Sequence, residues 1–141
     1  MVIAVDFDGT IVEHRYPEIG RERPFAIAAL KRLQAEGHRL ILWTAREGEL
    51  LDDALDWCRE RGIEFFAANA NTPDEEDEPT TRCRKVVADC YIDDRNLGGL
   101  PDWGAICDII TDGETFEQYL MARIETAPQP RRSWLRQLIG F

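Results

Sequence analysis

Basic residues are the scarce class in this chain. Its 141 residues carry 17 Lys and Arg against 27 Asp and Glu, a formal net charge of −10. A surface of that sign favours solubility and repels polyanions, so no nucleic-acid partner is expected. Histidine is nearly absent, and neither His14 nor His38 stands at metal-ligand spacing. The four cysteines, Cys58, Cys83, Cys90 and Cys107, make no C-x-x-C pair and follow no secretory signal. They read as reduced core or near-core thiols rather than as disulfides or a zinc site. Long apolar runs are also missing: the first, Met1–Val5, is broken by Asp6, too early for a signal segment or a membrane span. These shortages point to a cytoplasmic protein without a membrane span.

What is present alternates. Val2–Phe7 reads as a buried strand, and Pro24 suits the first turn of a helix whose apolar face is Ala26, Ile27, Leu30 and Leu33. Gly37 stops it, and Leu40–Trp43 is a continuous apolar run suited to a strand buried on both faces. A second helix follows, with Glu47, Glu49, Asp52 and Asp53 near its start and Arg59 and Arg61 near its end, as the helix dipole favours. Its inner face is Leu51, Ala54, Leu55 and Cys58, and Gly62 ends it. Ile63–Ala68 reads as a third strand, and the acid-rich segment Asn71–Pro79 as a solvated loop. A helical turn is expected around Thr81–Val87, then a fourth strand at Cys90–Ile92, either a fifth strand or a helix opened by Asp102 over Ala105–Ile110, with the helix slightly favoured, and a terminal helix over Thr115–Ile124. The fold class is therefore α/β, a Rossmann-like parallel sheet flanked by helices. One domain spans residues 1–126, and residues 127–141 form a basic and apolar tail.

Ligands of such sheets bind outside the carboxyl ends of the strands. Strand one ends in "DFDGT", bringing Asp6, Asp8 and Thr10, and strand two in Thr44 and Arg46. Strand three ends in Asn69, and strand four in Asp93 and Asp94, with Lys85 just upstream. Asp6 and Asp8, two residues apart, can converge on one point, and like charges held together need a cation or a proton between them. A carboxylate cluster without His or Cys suits a hard cation. Magnesium fits best, because it uses few carboxylates plus substrate phosphate oxygens.

In order along residues 1–100, "DFDGT", Thr44, Lys85 and "YIDD" resemble the four motifs of the haloacid dehalogenase-like (HAD) phosphohydrolases. The resemblance implies a HAD-like core and a magnesium-dependent phosphomonoester hydrolase. Asp6 would be the nucleophile and Asp8 the acid and base. Asp6, Asp93 and the backbone carbonyl of Asp8 would hold Mg2+, with Asp94 beside them. Thr44 and Lys85 would grip the phosphoryl oxygens, and Thr10, Arg46 and Asn69 are further candidates for phosphate or substrate contact. The places where this family inserts a cap hold only Ile11–Arg23 and Thr72–Thr81, too short for one, so no cap domain is expected. A homo-oligomer or a protein-sized substrate is then left to shield the site. The resemblance implies a small phosphorylated metabolite or a phosphoprotein as the expected substrate.

Two other readings stay open at this level. A response-regulator receiver also sets carboxylates, Thr and Lys on strand ends, but its phosphoacceptor sits on the third strand, which here ends in Asn69. A non-catalytic interaction protein on a HAD scaffold would not need both Asp6 and Asp8.

Overall fold

In a computed structural model, residues 1–75 and 84–126 are described. The elements run β1 (Val2–Val5), α1 (Ala26–Ala35), β2 (Arg39–Leu42), α2 (Gly48–Glu60), β3 (Ala67–Ala68), β4 (Cys90–Ile92), α3 (Trp103–Asp112) and α4 (Phe116–Thr126). The sheet is wholly parallel, in the order β3-β2-β1-β4. The protein is thus an α/β fold, and among the described residues there is no cap domain.

The strand order reverses at β1. Its crossover to β2 goes one way, while β4 pairs on its other side, with Val5 opposite Leu42 and Ile92. In such sheets ligands usually bind at the point of reversal, here outside the carboxyl ends of β1 and β4.

Strand alternation divides the core between two faces. Ile3, Val5, Leu40, Leu42 and Ile92 meet α1, α2 and α3 through Leu30, Leu33, Ala54, Cys58, Trp103, Ile106 and Ile110. Each aliphatic side chain fully buried there contributes roughly 1.5–3 kcal/mol. The opposite face is thinner: Ala4, Ile41 and Ala67 pack with Val86, edged by Trp43, Phe66 and Tyr91. Tyr91 Oη secures this cover by donating to the Val86 carbonyl at 2.6 Å.

Four sequence expectations are corrected. Strand β1 stops at Val5 rather than Phe7, because the Phe7 carbonyl accepts the amides of Thr10, Ile11 and Val12 and closes a turn. Strand β3 keeps two residues of the six expected, joined to β2 by few bonds, among them Phe66 N–H to Leu40 O and Asn69 N–H to Leu42 O. Residues 84–88 are not helical, since Val87 and Ala88 donate to Asn71 and Tyr91 side chains instead of to a helical turn; residues 81–83 lie outside the described part. Glu75, expected in a solvated acid run, pairs with Arg84, whereas Asp74 is exposed as expected; residues 76–78 of that run and the tail lie outside the described residues.

Other expectations hold. Asp102 caps α3, accepting from the Ala105 amide at 2.9 Å. Thr115 and Gln118 exchange side-chain-to-backbone bonds at the start of α4, a capping box. Cys58, Cys90 and Cys107 are free thiols, and burial pushes Cys58 up to about 12, leaving it protonated and inert.

Candidate active site

Beyond Val5 the chain leaves the sheet, yet Asp6 stays stapled to it: its N–H donates to the Ile92 carbonyl at 3.0 Å. Gly9 then turns the chain at φ 89°, and a Cβ there would stand 2.3 Å from Asp94 Oδ2. Glycine is therefore required twice over, for the left-handed backbone and for the approach of Asp94.

Carboxylate oxygens of Asp6, Asp93 and Asp94 lie within 4.8 Å of one another, each side chain half-buried. Thr10 ties the two strand ends together. Its fully buried hydroxyl donates to Asp6 Oδ2 at 3.1 Å and accepts the Asp94 N–H at 3.0 Å. Burial, aided by the charges of Asp93 and Asp94, raises Asp6 from an ordinary 3.8 to about 7. Three crowded carboxylates in an all-oxygen setting fit a hard divalent cation, whose charge would relieve that repulsion.

Asp8 faces elsewhere. Both of its oxygens accept from Arg46, Oδ2 from Nε at 2.7 Å and Oδ1 from Nη2 at 2.8 Å. The Arg46 side chain is only 1% exposed, against 12% for Asp8. Its hydrogen bonds to Asp8 raise the pKa of Arg46, holding the guanidinium charged. Asp8 and Asp6 thus do not converge on one point as their spacing suggested, because the turn after Val5 breaks strand alternation between them. The charge beside the Asp8 carboxylate is Arg46, not a cation shared with Asp6.

The remaining candidates separate into bracing and exposed groups. Asn69, at φ 51°, receives the Thr44 N–H at 2.8 Å and donates to the Arg46 carbonyl at 3.2 Å. Thr44 Oγ1 in turn accepts the Arg46 N–H at 3.2 Å. Asn69 and Thr44 therefore shape the end of β2 around Arg46. Lys85 is exposed, its ammonium 4.3 Å from the centroid of the Tyr91 ring, and no ion pair among the described residues joins it to Asp6, Asp93 or Asp94. Arg95 bonds Asp93 through its backbone N–H, while its guanidinium lies 3.3 Å from His14 Nε2.

Sequence reasoning missed Trp103. Its indole N–H donates to the Thr10 carbonyl at 2.9 Å in a buried contact, so α3 fixes the "DFDGT" turn from below. Only its position just after the Asp102 cap hinted at this. The carbonyls of Pro17 and Glu18, which hold Arg46, carried no sequence signal at all. At the other end of the sheet lies a hollow of about 340 Å3 lined by Gly37–Leu40 and Glu64–Phe66. Its charged and titratable lining residues are His38, Arg39 and Glu64, and none of Asp6, Asp8, Asp93 and Asp94 lines it.

A solved structure described as a conserved protein from Bacteroides thetaiotaomicron is 62% identical, with a TM-score of 0.76. The likeness covers 83% of this chain and 94% of that one. The chain belongs to the family of that protein. No family model and no curated protein matches it. Kinship at this level supports the fold, and the chemistry rests on the carboxylates themselves.

Proposed function

We propose that this protein is a magnesium-dependent phosphomonoester hydrolase of the HAD type. It would act in the cytoplasm on a small phosphorylated metabolite or a phosphoprotein. The observation that carries this reading is the gathering of Asp6, Asp93 and Asp94 from two neighbouring strand ends at the sheet's reversal point, within 4.8 Å. Asp8, set apart from the three clustered carboxylates on Arg46, supports it, because the reaction needs one carboxylate near the phosphorus and a second, differently placed one to handle protons.

Asp6, Asp93 and Asp94 would hold Mg2+, together with the Asp8 carbonyl that the resemblance assigns. The ion would neutralise phosphoryl charge as it develops. Asp6 attacks phosphorus with a carboxylate oxygen, forming the aspartyl-phosphate as the bond to the leaving oxygen breaks. Asp8 gives its proton to that oxygen. In the second half Asp8 takes a proton from water, which attacks phosphorus and releases inorganic phosphate, restoring the Asp6 carboxylate. Each Asp8 oxygen offers a second lone pair beyond the one facing Arg46, so it can carry the proton without losing that contact. To reach the phosphoryl group, the Lys85 ammonium must leave the Tyr91 ring.

Hydrolysis of p-nitrophenyl phosphate by the full chain tests the reading. Turnover with Mg2+ that disappears with EDTA and with Asp6→Asn is expected. Activity that survives either change overturns it.

A further inference from the structure

Arg46 was a candidate for substrate contact, but its hydrogen bonds point elsewhere. A guanidinium has five N–H groups. Nε and Nη2 hold Asp8, Nη2 also donates to the Glu18 carbonyl at 2.9 Å, and Nη1 donates to the Pro17 carbonyl at 3.0 Å. Its charged carbon also lies 5.1 Å from the Phe7 ring centroid and 5.4 Å from that of Tyr16. Four N–H groups are committed to protein oxygens, and the side chain is 1% exposed, so it cannot clamp a phosphoryl group without leaving Asp8.

The surroundings are built to keep it there. Its backbone is pinned by Thr44 Oγ1 and by Asn69 Nδ2, at the end of β2. The segment supplying the two carbonyls is the tip of a small hairpin, closed by Glu13 N–H to Arg21 O and Arg23 N–H to Ile11 O, both at 2.8 Å. That hairpin follows directly on the turn bearing Asp8. Arg46 thus joins the Asp8 carboxylate, the end of β2 and the hairpin tip in one rigid frame. A planar fork fixes a carboxylate in orientation as well as position, which a lysine ammonium cannot do.

We propose that Arg46 is a positioning residue: together with the Tyr16–Glu18 segment, it aims Asp8 at the oxygen that leaves phosphorus. This rests on the phosphatase reading above. Its consequence is selective. A leaving oxygen of high basicity needs a proton as its bond to phosphorus breaks, whereas an acidic phenol departs without one. Losing the aim of Asp8 therefore slows poor leaving groups most, and slows turnover rather than binding.

The test compares p-nitrophenyl phosphate with phenyl phosphate, using the full chain with Mg2+ as wild type, Arg46→Gln, Arg46→Lys and Tyr16→Ala. Arg46→Gln is expected to lose about tenfold or more further kcat on phenyl phosphate than on p-nitrophenyl phosphate, with KM little changed. Arg46→Lys is expected to fall with it, because charge without the fork does not orient Asp8. Equal losses on both substrates, losses confined to KM, or full rescue by lysine overturn the positioning role while leaving the phosphatase intact. A wild type without metal-dependent turnover on either substrate overturns both. If the Arg46 variants do not fold, Tyr16→Ala decides, since its side chain is 51% exposed. A steeper dependence on the leaving group upholds the proposal, and an unchanged one overturns it.

Discussion

At the scale of single residues, Asp6 is under tension, and the tension has a direction. Its folded pKa, about 7, stands above the ordinary 3.8, so between these values the folded state holds more protons than the unfolded one. Stability from this group is therefore lost as pH rises from about 4 to about 7, and a divalent ion should restore it where the proton has left. The expected result is that Mg2+ raises Tm more at pH 8 than at pH 5, and that Asp6→Asn removes the difference. An equal Mg2+ effect at both pH values contradicts this account of Asp6. Lys85 poses the opposite question, because it rests on Tyr91 rather than on a carboxylate. If it moves to serve the phosphoryl group, Lys85→Ala costs about 10²–10³ in kcat, whereas a loss below about threefold means that it stays on the ring.

At the scale of elements, α3 matters for more than core packing, since its first residue, Trp103, supports the Thr10 carbonyl. Asp102→Ala removes the cap that sets the start of this helix, at a cost of about 1 kcal/mol. Thermal melting should register a drop of roughly 4 °C. An unchanged Tm would mean that the Asp102 cap contributes nothing. Much at this scale was legible in the sequence. Leu40–Leu42 and Cys90–Ile92 are apolar runs of strand length, and Gly37 and Gly62 follow helix ends, whereas Ala105–Ile110 read as strand or helix until the Asp102 cap fixed it as helix. The length of β3 was not legible, because an edge strand extends only as far as its single neighbour offers partners. Nor was the pairing of Asp8 with Arg46, which lie 38 positions apart, since no local periodicity links the two. The strand ends announced which carboxylates and which arginine gather at one edge. Which side chain faces which was decided by the turn at Phe7 and by the hairpin tip.

At the scale of the whole molecule, a protein of net charge −10 concentrates three half-buried carboxylates at one sheet edge. Such crowding adds unfavourable charge to an already acidic surface, and a bound cation is the simplest physical reason to maintain it. No helix among the described residues is long and apolar enough to cross a membrane, and the carboxylate edge is open, with no cap among them. Under the proposed function, an open edge would suit a phosphoryl group presented by a substrate larger than the site. The proposed chemistry requires a covalent intermediate on one named oxygen donor, and that species can be caught. Acid quenching of the full chain during turnover of a 32P-labelled phosphomonoester, with Mg2+ present, should leave hydroxylamine-sensitive label on Asp6 that EDTA and Asp6→Asn abolish. Phosphate release without any such label, or label on a residue other than Asp6, would contradict the account.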